Sequence, residues 1–129
     1  MSKKKRREPK IECIAYISVE GDLNKIDRLE AKQERYIREY ANAHNIDIVG
    51  VEYRHGFGQM DVNRQINEIA GLIRAKRVQG IIISNINKII PGDNLVDAYA
   101  KVGIIKAAGG TFISVENGNL DLGISIEGE

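Results

Sequence analysis

The chain lacks most of what braces small secreted or metal-bound domains. Its single cysteine, Cys13, excludes an internal disulfide framework and a cysteine-rich zinc site. The two histidines, His44 and His55, stand too far apart to suggest a metal pair and have no carboxylate or cysteine companions, so no metal is expected. No apolar run approaches the ~20 residues of a membrane span, and no apolar segment of signal-peptide type follows the start. There is no Gly-Lys-Ser/Thr phosphate loop, and Gly56-Phe57-Gly58 has neither the spacing nor the position of a dinucleotide loop, so no cofactor is expected. Strong charge of one sign is missing too, at a formal net charge of +1. What is present is ordinary for a globular protein: 43% hydrophobic and 29% charged residues, which argues against intrinsic disorder. At 129 residues the chain suggests one domain, soluble and cytoplasmic.

The small net charge hides an asymmetry. Residues 1–10 hold six basic side chains (Lys3, Lys4, Lys5, Arg6, Arg7 and Lys10) against Glu8, a net +5; the other 119 residues hold 13 basic and 17 acidic, a net −4. Residues 1–10 therefore read as a disordered basic arm and 11–129 as the folded domain. A domain that grips DNA through its surface usually carries net positive charge, because phosphate neutralisation dominates affinity. Any DNA affinity is accordingly expected from the arm, weak and indifferent to sequence.

Residues 11–19 read as a strand with apolar residues on both faces, which suggests a buried, parallel-type strand. Residues 29–44 read as a helix with a stripe of Leu29, Gln33, Tyr36, Ile37, Tyr40 and Ala41; Asp27 is the expected cap and Glu30 its capping-box partner. His44 falls at its C-terminus, where a cation is favourable. A second strand spans 46–53. Asp61 is expected to cap a second helix to about residue 76, with Val62, Ile66, Ile69, Ala70 and Ile73 inward. A third strand covers 80–84, a third helix runs from a cap at Asp93 to about 108, and a fourth strand covers 111–115. Asn117-Gly118 signals a hairpin turn, and Leu120, Leu122, Ile124 and Ile126 alternate as in an antiparallel edge strand. The order predicts an α/β fold: a mostly parallel sheet of four core strands plus one antiparallel edge strand, with helices on both faces. In such a sheet, ligands bind outside the carboxyl ends of the strands.

Tyr16-Ile17-Ser18-Val19-Glu20, Leu29-Glu30-Ala31-Lys32-Gln33, Gly56-Phe57-Gly58, Arg64, Asn85-Ile86-Asn87-Lys88-Ile89 and Gly110-Thr111-Phe112-Ile113-Ser114 follow one another in an order and spacing that resembles the catalytic domain of serine recombinases of the resolvase/invertase type. The resemblance spans about residues 11–118. It implies the three-layer resolvase-like fold and, as family role, DNA strand cleavage and exchange in site-specific recombination. The family reads Tyr-x-Arg-x-Ser where this chain has Tyr16, Ser18 and Glu20, so the nucleophile position is Glu20 and an arginine is replaced by Ser18. Arg54 stands in place of an aspartate and Gly58 in place of a serine. Asn87, Lys88 and Pro91 replace an aspartate and two arginines. Only Arg64 of the phosphate-binding set is unchanged, and Lys88 keeps charge without the planar fork.

These changes disfavour the chemistry together. A carboxylate ~4 Å from a phosphate costs about 4 kcal/mol at an effective dielectric near 20. Loss of an activated nucleophile costs on the order of 10⁶ in rate. Phosphoryl transfer rests on positioning and charge stabilisation, both of which the substitutions remove. The family's long dimer helix and helix-turn-helix module also find no counterpart in the strand-like tail. The expectation is a pseudoenzyme of mobile-element origin that acts as a binding or oligomerisation module with DNA, with itself or with another recombinase. Two alternatives stay open: a small-ligand or nucleotide-binding α/β domain using the loop between Arg54 and Arg64, and an active recombinase with an unrecognised nucleophile, for which Ser18 is the candidate.

Overall fold

A computed structural model describes residues 10–19, 23–54, 59–85, 95–116 and 118–119. The elements are β1 (Ile11–Ile17), α1 (Leu23–Ala43), β2 (Ile46–Tyr53), α2 (Gln59–Arg74), β3 (Gly80–Ile83), α3 (Leu95–Ala107), β4 (Thr111–Ser114) and the two-residue β5 (Gly118–Asn119). The sheet order is β2-β1-β3-β4-β5, and the first four strands are parallel. Gly118 and Asn119 pair antiparallel with Ser114 and Ile113. The edge strand expected over residues 120–126 lies outside the described residues.

The chain lays β2 on one side of β1 and then crosses to β3 on the other. That reversal makes the crevice at the carboxyl ends of β1 and β3 a topological switch point, the usual ligand position in open α/β sheets. β1 sits inside the sheet, as apolar residues on both its faces require. Cys13, Ala15 and Ile17 meet Ile37 and Ala41 of α1, while Ile14 and Tyr16 meet the layer of α2 and α3, built from Val62, Ile66, Ile69, Val102 and Ile105. Burial pushes the Cys13 thiol up to about 12, which leaves it a small core hydrophobe.

β2 carries one more residue than its partner. Cys13 pairs with Ile48 and Ile14 with Gly50, so Val49 has no partner on β1 and stands exposed at the sheet edge. At the other seam Gly80 and Thr111 approach closely: a Cβ on Gly80 would run into the Thr111 carbonyl oxygen.

Two helix starts differ from expectation. α1 begins at Leu23, so Asp27 lies inside the helix and is not its cap. The apolar stripe reaches back a turn through buried Ile26, and Glu30 is buried as well. A buried glutamate reads as a surface residue in the sequence, which hides that extension. α2 starts at Gln59, so Asp61 is its third residue. Asp93 lies outside the described residues. Helix ends agree better. His44 follows α1, stacks on Tyr40 with ring centroids 3.9 Å apart and turns Nδ1 to the Tyr40 carbonyl at 2.9 Å. α2 and α3 close with paired bonds of Schellman type: Arg77 N to Leu72 O with Lys76 N to Ile73 O, and Gly110 N to Ile105 O with Gly109 N to Lys106 O. The left-handed residue is Gly109 after α3 (φ 91°) but Lys76 after α2 (φ 63°).

Candidate functional site at the carboxyl edge of the sheet

Arg54 follows the last residue of β2 and is turned inward. It is 2% exposed. Its backbone N–H donates to the Ile17 carbonyl at 2.9 Å, its Nε to Ser18 Oγ at 2.8 Å and its Nη2 to the Val19 carbonyl at 2.6 Å. One side chain thus ties the end of β2 to three successive residues at the end of β1. Two positions at which the chain departs from the recombinase pattern, Ser18 and Arg54, are in direct contact. The sequence offers Arg54 to a solvent ligand; burial and these bonds turn it to the protein interior instead.

Gln33 of α1 holds the same strand end from the other side. Its Oε1 accepts from Ser18 N–H at 2.8 Å and its Nε2 donates to the Ser18 carbonyl at 3.0 Å. The side-chain amide imitates a neighbouring peptide unit where the ladder has run out. From the opposite layer, Gln65 of α2 accepts from the Tyr16 hydroxyl at 2.6 Å and donates to the Tyr53 carbonyl at 2.9 Å. Each glutamine occupies an inward position within an apolar stripe. That is the signal by which sequence reading finds such residues; it placed Gln33 in a stripe and passed over Gln65.

Around this knot lie more exposed polar contacts. The Tyr53 hydroxyl donates to Glu34 Oε1 at 2.5 Å. That bond, with Arg38 helping, holds the Glu34 carboxyl below its usual range; the bond to Glu34 in turn raises the Tyr53 hydroxyl, against the pull of Arg38. Asn85 Nδ2 donates to Glu116 Oε1 at 2.6 Å, joining the ends of β3 and β4. Between these ends and α1 lies an open cleft of about 370 Å³, lined by Val19, Leu29, Lys32, Gln33, Tyr36, Ser84 and Glu116.

Of the residues singled out in the sequence, Ser18 is 5% exposed and bound to Arg54. Arg64 is exposed on α2 and pairs with Glu68 at 3.3 Å. Lys10 is exposed at the amino end of β1, away from this edge. Glu20, His55, Gly58, Asn87, Lys88, Pro91 and the arm residues Lys3, Lys4, Lys5, Arg6 and Arg7 lie outside the described residues. Among the described residues no group of three metal-ligating side chains occurs, and no helix is long and apolar enough to cross a membrane.

The parallel order with its switch point and its capped strand ends defines an α/β domain of the doubly wound class. The particular version is the resolvase-type catalytic-domain fold. A resolvase family site-specific recombinase from Streptococcus pneumoniae superposes with a TM-score of 0.70 at 19% identity, covering 87% of this chain and 77% of that one. The N-terminal catalytic domain of TP901-1 integrase superposes with a TM-score of 0.61 at 13% identity, covering 85% and 82%. No family model and no curated protein matches the sequence.

Proposed function

We propose that this domain is a catalytically silent relative of serine recombinases that binds DNA without cutting it. The observation that carries the reading is the knot at the end of β1. Ser18 offers the described hydroxyl nearest in sequence to the nucleophile position, yet it is buried and accepts a hydrogen bond from the Arg54 guanidinium. A hydroxyl held that way is not poised to attack a phosphodiester, and the side chain bound to it is a cation that cannot take its proton. Glu20 in the nucleophile position cannot form a phosphoserine link. The acidic balance of the folded part and the basic arm, Lys3 to Lys10, support weak, sequence-indifferent contact with DNA phosphates. Self-association, or pairing with another recombinase, is the partner chemistry the fold offers.

Incubation of the protein with end-labelled supercoil-derived and linear duplexes, followed by a denaturing gel, tests the silence. No protein–DNA adduct is expected from the wild type or from Glu20→Ser alone, since the latter restores a hydroxyl without the arginines replaced by Ser18, Lys88 and Pro91. A labelled adduct that disappears in Ser18→Ala would overturn the proposal and make Ser18 a nucleophile.

A further inference from the structure

Counting charge over the whole domain conceals how it is arranged on α1. Lys25, Arg28, Lys32 and Arg35 recur at intervals of three, four and three residues, which places them within an arc of about 80° on an ideal helix. All four are exposed. None of them forms a hydrogen bond or ion pair among the described residues, whereas Arg38 on an adjoining face is bound to Glu34 and Arg64 on α2 to Glu68. The acids of α1 are largely directed elsewhere: Glu30 is buried and Glu34 is held by Tyr53. Asp27 lies on the flank, and Glu39, one turn beyond Arg35, ends the row.

We infer that the solvent face of α1 is a docking track for the phosphate backbone of duplex DNA, with Lys25, Arg28, Lys32 and Arg35 as its cations. This rests on the DNA-binding reading above and gives it a folded surface. From Lys25 to Arg35 the row spans eleven residues, a rise of about 15 Å along the helix. Along B-DNA each strand passes a phosphate every 3.4 Å of axis, so about four phosphates lie over that length. Four unpaired cations meet about four phosphates. The track also connects two features already described. Lys32 stands on the rim of the cleft at the carboxyl edge, and at the far end of α1 Arg38 and Asn42 share a hollow with Lys10, the last residue of the basic arm. A single-stranded track would need successive aromatics for stacking; beside this row only Tyr36 is an exposed aromatic among the described residues. Lysine and arginine on phosphates carry no base information, so the track is blind to sequence.

The test is fluorescence anisotropy of the full chain with random-sequence duplex and single-stranded DNA at about 50 to about 200 mM salt. Arg28→Gln/Lys32→Gln is compared with Arg74→Gln/Arg77→Gln, an equal charge change at exposed positions near the other end of the sheet, and with glutamine at Lys3, Lys4, Lys5, Arg6 and Arg7. The α1 variant is expected to weaken duplex binding on every sequence and to lower the log–log salt slope by about 1.8, so its deficit relative to wild type shrinks about twelvefold between those salt concentrations. The Arg74/Arg77 variant should bind as wild type does. Unchanged melting temperatures confirm that the exposed substitutions leave the fold intact. If the α1 variant binds normally while the arm variant does not, the track is wrong and the DNA-binding reading stands. Equal losses in the α1 and Arg74/Arg77 variants would reduce the effect to net charge and overturn the track. A preference for the single strand would overturn the duplex assignment. A wild type that binds no DNA at about 50 mM salt would remove both the track and the reading beneath it.

Discussion

Arg54 shows how far a side chain's role depends on direction. Its type and its place after the second strand were plain in the sequence, where they suggested a ligand contact. The bonds to Ser18 Oγ and the Val19 carbonyl make it internal scaffolding of the strand ends. Residue type was legible; side-chain direction was not, because it depends on how the ends of two strands meet in space. Truncation by Arg54→Ala leaves the hydroxyl and the carbonyl without that donor in a buried place. A loss of about 2–4 kcal/mol is expected, read from urea unfolding midpoints. The Tyr53–Glu34 pair gives a pH signature. The Glu34 carboxyl is held low by the Tyr53 hydroxyl, so the charged form is favoured by folding. Its contribution is complete above the ordinary glutamate value near 4.5 and fades as pH falls through the lowered folded value. Tyr53→Phe should therefore destabilise the protein at pH ~7 and progressively less as the pH falls through the lowered folded value, below which the carboxylate is protonated in both states. Parallel stability–pH curves for wild type and variant would contradict this.

At the scale of the element, strands and helix ends followed from local signals and helix starts did not. The second strand, Ile46–Tyr53, was legible to the residue, because Asn45 bounds it on one side and two glycines, Gly56 and Gly58, follow closely in the sequence on the other. The start of α1 was missed by a turn and a half because buried Glu30 disguises the stripe. The two Schellman closures give a prediction of sign. Gly109 takes the left-handed conformation at little steric cost, while Lys76 takes it with a Cβ in place. Lys76→Gly should stabilise the protein by about 0.5–1 kcal/mol, the steric relief offsetting glycine's greater unfolded entropy. A lower melting temperature for the variant would show that the lysine stem contributes more than its backbone costs.

At the scale of the whole molecule, the parallel α/β class and the interior place of the first strand were legible, because strand-helix alternation and two-faced apolar strands leave few other topologies. The site was legible only as a location. Its polar knot links residues far apart in sequence, Tyr16 to Gln65 and Ser18 to Arg54, and no local pattern announces such pairs. The seam between β3 and β4 is equally non-local. Gly80→Ala should cost about 1–3 kcal/mol, since the added methyl meets the Thr111 backbone and not the yielding end of a side chain. Denaturant unfolding measures it, and a neutral result would mean the two strands part at little cost.

The unpaired Val49 in β2 acts as a phase correction. Ile46 and Ile48 before it, and Val51 and Tyr53 after it, all lie with the α1-side core, although an unbroken pleat would send the two pairs to opposite faces. A strand keeps step by parity, and here the step changes once in the middle. Residues beyond the change, Arg54 included, inherit their sidedness from it. Were Val49 drawn into the pleat, the same side chains would follow in the same order, yet Val51 and Tyr53 would exchange their sides of the sheet and the guanidinium would set out from the wrong one. The chemistry of the strand ends is thus aligned by a residue that takes no part in it.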